Sequence, residues 1–166
     1  MRRSQMGVRT RETYMIVIKN KQRKIHVDMP WLQAKAHLML ECAGYPDFDL
    51  GILLTTNATI KKYNKTYRKK DKATDILSFP YHNTLKPGKT IIVHDPEDKN
   101  LGDIIISLEY ALRESGKTWG RTFEKHLVCL LAHGIAHVLG HDHKTAQQEK
   151  IMLLFENKLV SDSRRC

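Results

Sequence analysis

Residues 123–143 read FEKHLVCLLAHGIAHVLGHDH, and the organisation of the chain follows from how that stretch folds. Phe123, Leu127, Leu130, Leu131, Ile135 and Val138 recur at helical spacing and make the helix apolar over much of its surface. It is predicted to be the longest helix of the chain and its buried centre. Gly140 follows, where a residue without a Cβ can leave the helix in a left-handed turn.

Residues 133–143 hold four of the nine histidines. On a helix His133 and His137 project from one face, one turn apart. The turn at Gly140 lets the chain double back, so that His143 approaches the two rings from a third side. Three neutral imidazoles with an open fourth position suit a catalytic Zn²⁺, which would acidify a bound water. One such pair alone would be read as solvated surface; the third histidine and the bend favour a metal. The spacing matches the zincin group with a glycine turn and a third histidine, with one departure. Those enzymes place a glutamate general base after the first histidine, whereas this chain has Gly134. Peptidase chemistry thereby loses its base. Glycine inside a helix costs about 1 kcal/mol relative to alanine, and close approach of another backbone or of a substrate is the expected return. His141 is left out of the ligand set, and His26, His37, His82, His94 and His126 are read as ordinary.

Working outward, YMIVI (14–18), residues 48–55, TDILSFP (74–80) and LGDIII (101–106) read as strands. Pro30 and Asp28 open a helix with Trp31, Ala34, Leu38 and Cys42 on one stripe, ended by Gly44. Asn57 caps a helix with Ile60, Tyr63 and Tyr67 on one stripe and lysines on the other. Ser107 opens a helix to about Ser115, and Thr145 with Gln148 forms a capping box before a helix whose packing face is Ile151, Met152, Phe155 and Leu159. Residues 82–100 are expected to be a long, exposed loop. The interleaving predicts an α+β fold, a small mixed sheet of about four strands packed with about five helices.

With 166 residues, this is read as one domain at 14–160, between a basic N-terminal extension at 1–13 and a C-terminal tail at 161–166. No apolar run reaches membrane-span length, so no membrane partner is expected. The net charge of +10 points to an acidic partner, nucleic acid first. Cys42, Cys129 and Cys166 are odd in number and widely spaced; the first two are read as reduced core residues, which fits a reducing compartment such as the cytoplasm. The first thirteen residues are read as a basic arm, with an organellar targeting peptide or an upstream translation start as alternatives.

Residues 61–72 carry seven basic side chains against one acid, interleaved with Tyr63 and Tyr67. This is either a phosphate-tracking surface with aromatic faces for stacking, using Lys61, Lys65, Arg68 and Lys69, or a solvated helix face. Arg68, where the helix ends, can hold a phosphodiester bidentately and offset developing charge; a surface ion pair is the competing account. Asp103 is a candidate to orient a ligand histidine, and Asp142 to accept a ring N–H or hold the turn; local capping competes for Asp75 and Asp103.

Taken together, His133 to His143, Tyr67-Arg68 with TDILSFP, and Leu101-Gly-Asp103 resemble the YbeY family of metal-dependent endoribonucleases, over about residues 14 to 160. The resemblance implies Zn²⁺ on His133, His137 and His143, a functional role for Arg68, and cleavage of single-stranded RNA. It further implies a role in 16S rRNA 3′-end processing and ribosome quality control, with rRNA and the small ribosomal subunit as partners. A ribosome-assembly factor with a structural metal and little cleavage is the alternative.

Overall fold

Alternation along residues 100–107 sets the two faces of the sheet. In strand β4 (Asn100–Ser107) Ile104 and Ile106 enter the main core, while Ile105 enters a smaller cluster on the opposite face, the side to which Asp103 also points. The computed structural model describes residues 16–117 and 120–164. The N-terminal extension, the start of the strand expected at 14–18, and Cys166 lie outside them. The elements before β4 are β1 (Ile16–Asn20), α1 (Met29–Ala43), β2 (Asp49–Thr55), α2 (Asn57–Arg68) and β3 (Ile76–Pro80). After it come α3 (Leu108–Ser115), α4 (Phe123–Val138) and α5 (Ala146–Asp162). The strands run in the order β1-β2-β4-β3, with β1, β2 and β4 parallel and β3 antiparallel to β4. The expected α+β fold, with four strands and five α-helices, is what the chain adopts.

Helix starts follow local chemistry. The Asp28 carboxylate accepts from the amide of Trp31 at 2.9 Å, Ser107 caps α3, and Thr145 and Gln148 close their capping box on α5. Helix α2 is capped by Thr56 rather than Asn57; Asn57 is its first helical residue, and its side chain accepts from the Ser107 hydroxyl. The buried face of α1 is Leu32, Ala36, Met39 and Leu40, rotated by about one position from the expected stripe, so Ala34 is exposed. On α5, Met152 and Leu159 are buried, but Ile151 is exposed. That helix has 17 residues and α4 has 16, so α4 is the central helix without being the longest.

Packing places α1, α3, α4 and α5 around the main core and α2 on the other face, where Ile60 meets Leu77 and Ile105. The segment 82–100 is more ordered than expected. Ile91 is buried, Leu85 packs on the core, and Pro96–Lys99 forms a 3₁₀ turn whose Asp98 carboxylate accepts from the amides of His94 and Asp95. Cys42 and Cys129 are half-buried and form no disulfide among the described residues; the Cys42 thiol donates to Asp162 at 2.8 Å. No helix among the described residues is long and apolar enough to cross a membrane.

Gly134 shows why glycine stands inside α4. A Cβ there would lie 2.8–3.1 Å from three side-chain carbons of Ile104, which is fully buried. The close approach expected at this glycine is made by that isoleucine side chain, not by a backbone or a substrate. Gly134→Ala gains about 1 kcal/mol of helix propensity but overpacks this contact, so a net loss of about 1–2 kcal/mol is expected in the denaturant midpoint. Adding Ile104→Val, which removes the nearest carbon, should recover part of that loss. A Gly134→Ala protein as stable as the parent would contradict the packing account.

Candidate metal centre

Three ring systems converge at the C-terminal end of α4. His133 and His137 are half-buried on the helix, and His143 is exposed just after the turn at Gly140, which has φ +87°. One nitrogen of each ring lies within 4.8 Å of the others. The ring centroids of His133 and His137 are 4.6 Å apart, and that of His143 lies 5.5 Å and 5.2 Å from them. The turn is held by the His141 amide, which donates to the Ala136 carbonyl at 3.0 Å. A Cβ at Gly140 would run into the backbone of Leu85, so segment 82–100 closes over the bend.

Two further contacts orient the rings. The Nδ1 of His133 is 2.7 Å from Oε1 of Glu156 on α5, and the Nδ1 of His137 is 3.0 Å from the His141 carbonyl oxygen. Both partners only accept, so each Nδ1 carries the proton, and in the neutral rings each Nε2 presents a lone pair. Those two Nε2 atoms face each other at 3.1 Å. Two lone pairs at that distance repel unless a cation sits against both. Nitrogens bound to one tetrahedral Zn²⁺ at about 2.0–2.1 Å would be about 3.3 Å apart. The donor set therefore fits a divalent metal. Burial, and then the neighbouring His133, push the His137 pKa down to about 4, so its ring is neutral at physiological pH.

The remaining candidates fall elsewhere. Asp103 does not orient a ligand histidine: it is exposed on the sheet face opposite α4, beside Gly51, because strand alternation turns it away from Ile104. Its groove of about 720 Å³ is also lined by Val17, Lys19, Asp49, Tyr63 and Tyr67. Asp142 holds the turn, accepting from the His143 amide at 2.8 Å and pairing with Lys144 at 2.8 Å. These contacts, Lys144 foremost, keep its carboxyl below the usual range. Asp75 accepts from its neighbours, the Ile76 amide and the Thr74 hydroxyl. His141 stacks on Phe155 with centroids 4.4 Å apart, outside the cluster, and burial lowers its pKa.

Arg68 ends α2 on the other face of the sheet, and its side chain makes no hydrogen bond or ion pair among the described residues, to the histidines or otherwise. The lysines near it are partly occupied. Lys61 and Lys65 pair with Asp71 at 3.6 Å and 3.1 Å, and Lys69 donates to the Thr66 carbonyl. Tyr63 stacks on Tyr67 at 6.1 Å, and Tyr67, 63% exposed, meets the edge of Phe79 at 5.2 Å. Glu156 is a residue that sequence reasoning missed. The available signal is its position in α5 four residues after buried Met152 and three before buried Leu159, where a carboxylate needs a partner.

A pair of histidines on a helix, completed by a third after a glycine turn and set against a mixed sheet, defines an α+β protein with a centre able to hold a metal ion. Residues 17–164 match the family model described as Endoribonuclease YbeY. Proteins named Endoribonuclease YbeY are similar over most of the chain: that of Homo sapiens is 33% identical over 147 residues, 89% of this chain and 87% of the relative. That of Aquifex aeolicus is 34% identical over 157 residues, 94% and 96% of the two chains. That of Myxococcus xanthus is 40% identical over 130 residues, 78% of this chain but 40% of a longer relative. The solution structure of TM1509 from Thermotoga maritima aligns with TM-score 0.58 and 25% identity, over 90% of this chain and 89% of that one. The chain belongs to the endoribonuclease YbeY family.

Two outcomes follow from the ring contacts. Glu156→Gln should weaken divalent-metal affinity about 10–100-fold, read by competition with a chromogenic chelator, because the carboxylate fixes the His133 tautomer; affinity within about twofold of the parent would rule that role out. In metal-free protein, the lowered pKa of His137 means the unfolded chain binds more protons between about pH 6.5 and pH 4. Stability therefore falls as pH drops through that window. A urea midpoint at pH 5 equal to or above that at pH 7 would contradict the assignment.

Proposed function

We propose that this chain is a zinc-dependent endoribonuclease that cleaves single-stranded RNA in rRNA maturation. The proposed substrate is the 3′ end of 16S rRNA, met on the small ribosomal subunit in the cytoplasm, with a part in ribosome quality control. Membership of the endoribonuclease family supports the reaction class, and the facing lone pairs of His133 and His137 are the observation that carries metal dependence.

His133, His137 and His143 would hold the ion. A bound Zn²⁺ supplies Lewis acidity toward a phosphodiester and acidifies water. Hydrolysis adds the hydroxyl of a water to phosphorus and a proton to the leaving ribose oxygen. The chain's own contribution is to orient the rings through Glu156 and the His141 carbonyl. No carboxylate stands at the zincin base position, which is occupied by Gly134 packed against Ile104.

The α2 surface of Lys61, Lys65, Arg68 and Lys69, with Tyr67 beside it, is the proposed RNA track. Helices α2 and α4 lie on opposite faces with edge strand β3 at their side of the sheet. An RNA strand crossing that edge can touch the track and reach the histidines. Arg68 pairs with no carboxylate among the described residues, so its guanidinium is available to a phosphate.

Purified protein should cleave single-stranded rRNA fragments, lose cleavage with chelator and regain it with Zn²⁺; His137→Ala should lose both stoichiometric metal and cleavage. RNA binding without any cleavage by the metal-loaded protein would favour an assembly factor instead. Arg68→Ala combined with replacement of Lys61, Lys65 and Lys69 should lower the salt slope of RNA binding by about one unit for each phosphate no longer neutralised. An unchanged slope would reduce the α2 surface to a solvated face. Arg68→Ala measured alone at saturating enzyme separates the two roles open to this residue: a deep loss of turnover marks contact with developing charge, and weakened affinity alone marks a binding contact.

A further inference from the structure

A second arginine shares a cavity with a ring of the candidate metal centre. Beside His133, between α4, α5 and the chain entering β3, lies a cavity of about 290 Å³ whose lining includes Asp75, Arg121, His126, His133, Glu156 and Asn157. Arg121 is exposed and stands just before the Thr122 cap of α4. Its only polar contact among the described residues is from Nη1 to Nδ1 of His126 at 3.4 Å. It pairs with neither of the two carboxylates lining the cavity. Glu156 is engaged by His133, and one oxygen of Asp75 by its neighbouring amide and hydroxyl. His126 is nine-tenths buried, and its Nε2, closed off from solvent, has no hydrogen-bond partner among the described residues. An exposed guanidinium thus stands in a recess that opens beside His133, backed by the buried His126 ring.

We infer that Arg121 holds the RNA phosphate next to the candidate metal centre and offsets the charge that grows there on cleavage, with the buried His126 ring, whose Nδ1 accepts from the guanidinium, positioning it. Burial, with the Arg121 charge next, lowers the His126 pKa and keeps that ring neutral at physiological pH. A planar, always-charged fork next to a reacting phosphate is the side chain suited to that work. Arg68, on the other face of the sheet, meets the strand further along its path. This inference rests on the endoribonuclease reading above.

The test uses the full chain as wild type, Arg121→Ala and Arg121→Lys, each with metal content and thermal midpoint verified. Single-turnover cleavage of a short single-stranded RNA at saturating enzyme is measured beside the salt dependence of RNA binding by chelated, non-cleaving protein. Arg121→Ala should lower the saturated rate about tenfold or more, with lysine restoring only a minor part, and should reduce the salt slope by about one unit. A saturated rate within about twofold of wild type overturns the inference whatever the slope does. A lowered rate with an unchanged slope, or with depleted metal, also overturns it, because Arg121 would then act through the fold. No cleavage by metal-loaded wild type fails the endoribonuclease reading and takes this inference with it, an outcome distinct from an active wild type and an equally active Arg121→Ala.

Discussion

The packing of Gly134 against Ile104 is the constraint on which the centre depends. It lays α4 on the sheet closely enough that even a methyl group does not fit, and it fixes the rotation of the helix about its own axis. With Gly134 toward the sheet, His133 and His137 are displaced to the same side by about 100° and 60°. They emerge together at the flank of the helix, where α5 supplies Glu156 and the turn supplies His143. A different residue against Ile104 would rotate the pair toward the core or toward open solvent. The glycine that stands in place of the zincin base is thus also the residue that aims the histidines.

The centre is held from three directions, and each hold has a cost. Burial of His137 disfavours its charged form, the His133 and His137 Nε2 atoms face each other at 3.1 Å, and Leu85 closes over Gly140 so tightly that no side chain fits at the bend. Pre-orienting the rings through Glu156 and a backbone carbonyl reduces the ordering required when a cation binds. The two faces of the sheet divide the labour: the α4 side presents imidazoles and Arg121, and the α2 side presents lysines, Arg68 and stacked tyrosines.

Much of this is legible in the sequence because its signals are local. The period of the α4 stripe, the capping box at Thr145 and Gln148, the alternation of TDILSFP and the spacing of His133, His137 and His143 each depend on residues within a few positions of one another. What escapes a reading of the sequence depends on contacts across the chain. Spacing alone puts the α1 stripe one position away from its true place, because several apolar faces compete on that helix and only its neighbours choose between them. Asp103 looks well placed to orient a histidine until strand pairing shows which face it occupies. Glu156 meets His133 across 23 positions, and Arg121 acquires its cavity only when α5 folds back along α4. The buried part of segment 82–100 is hidden for the same reason, since Ile91 and Leu85 find their partners in distant elements.

The most direct test of the central claim is X-ray absorption at the zinc edge of the protein loaded with one equivalent of Zn²⁺. The account predicts three imidazole nitrogens at about 2.0–2.1 Å with a light-atom fourth ligand and no sulfur, and the imidazole signal should fall to two in a His143→Ala protein. A first shell with two or fewer imidazoles in the parent chain, or a sulfur at about 2.3 Å, would contradict it.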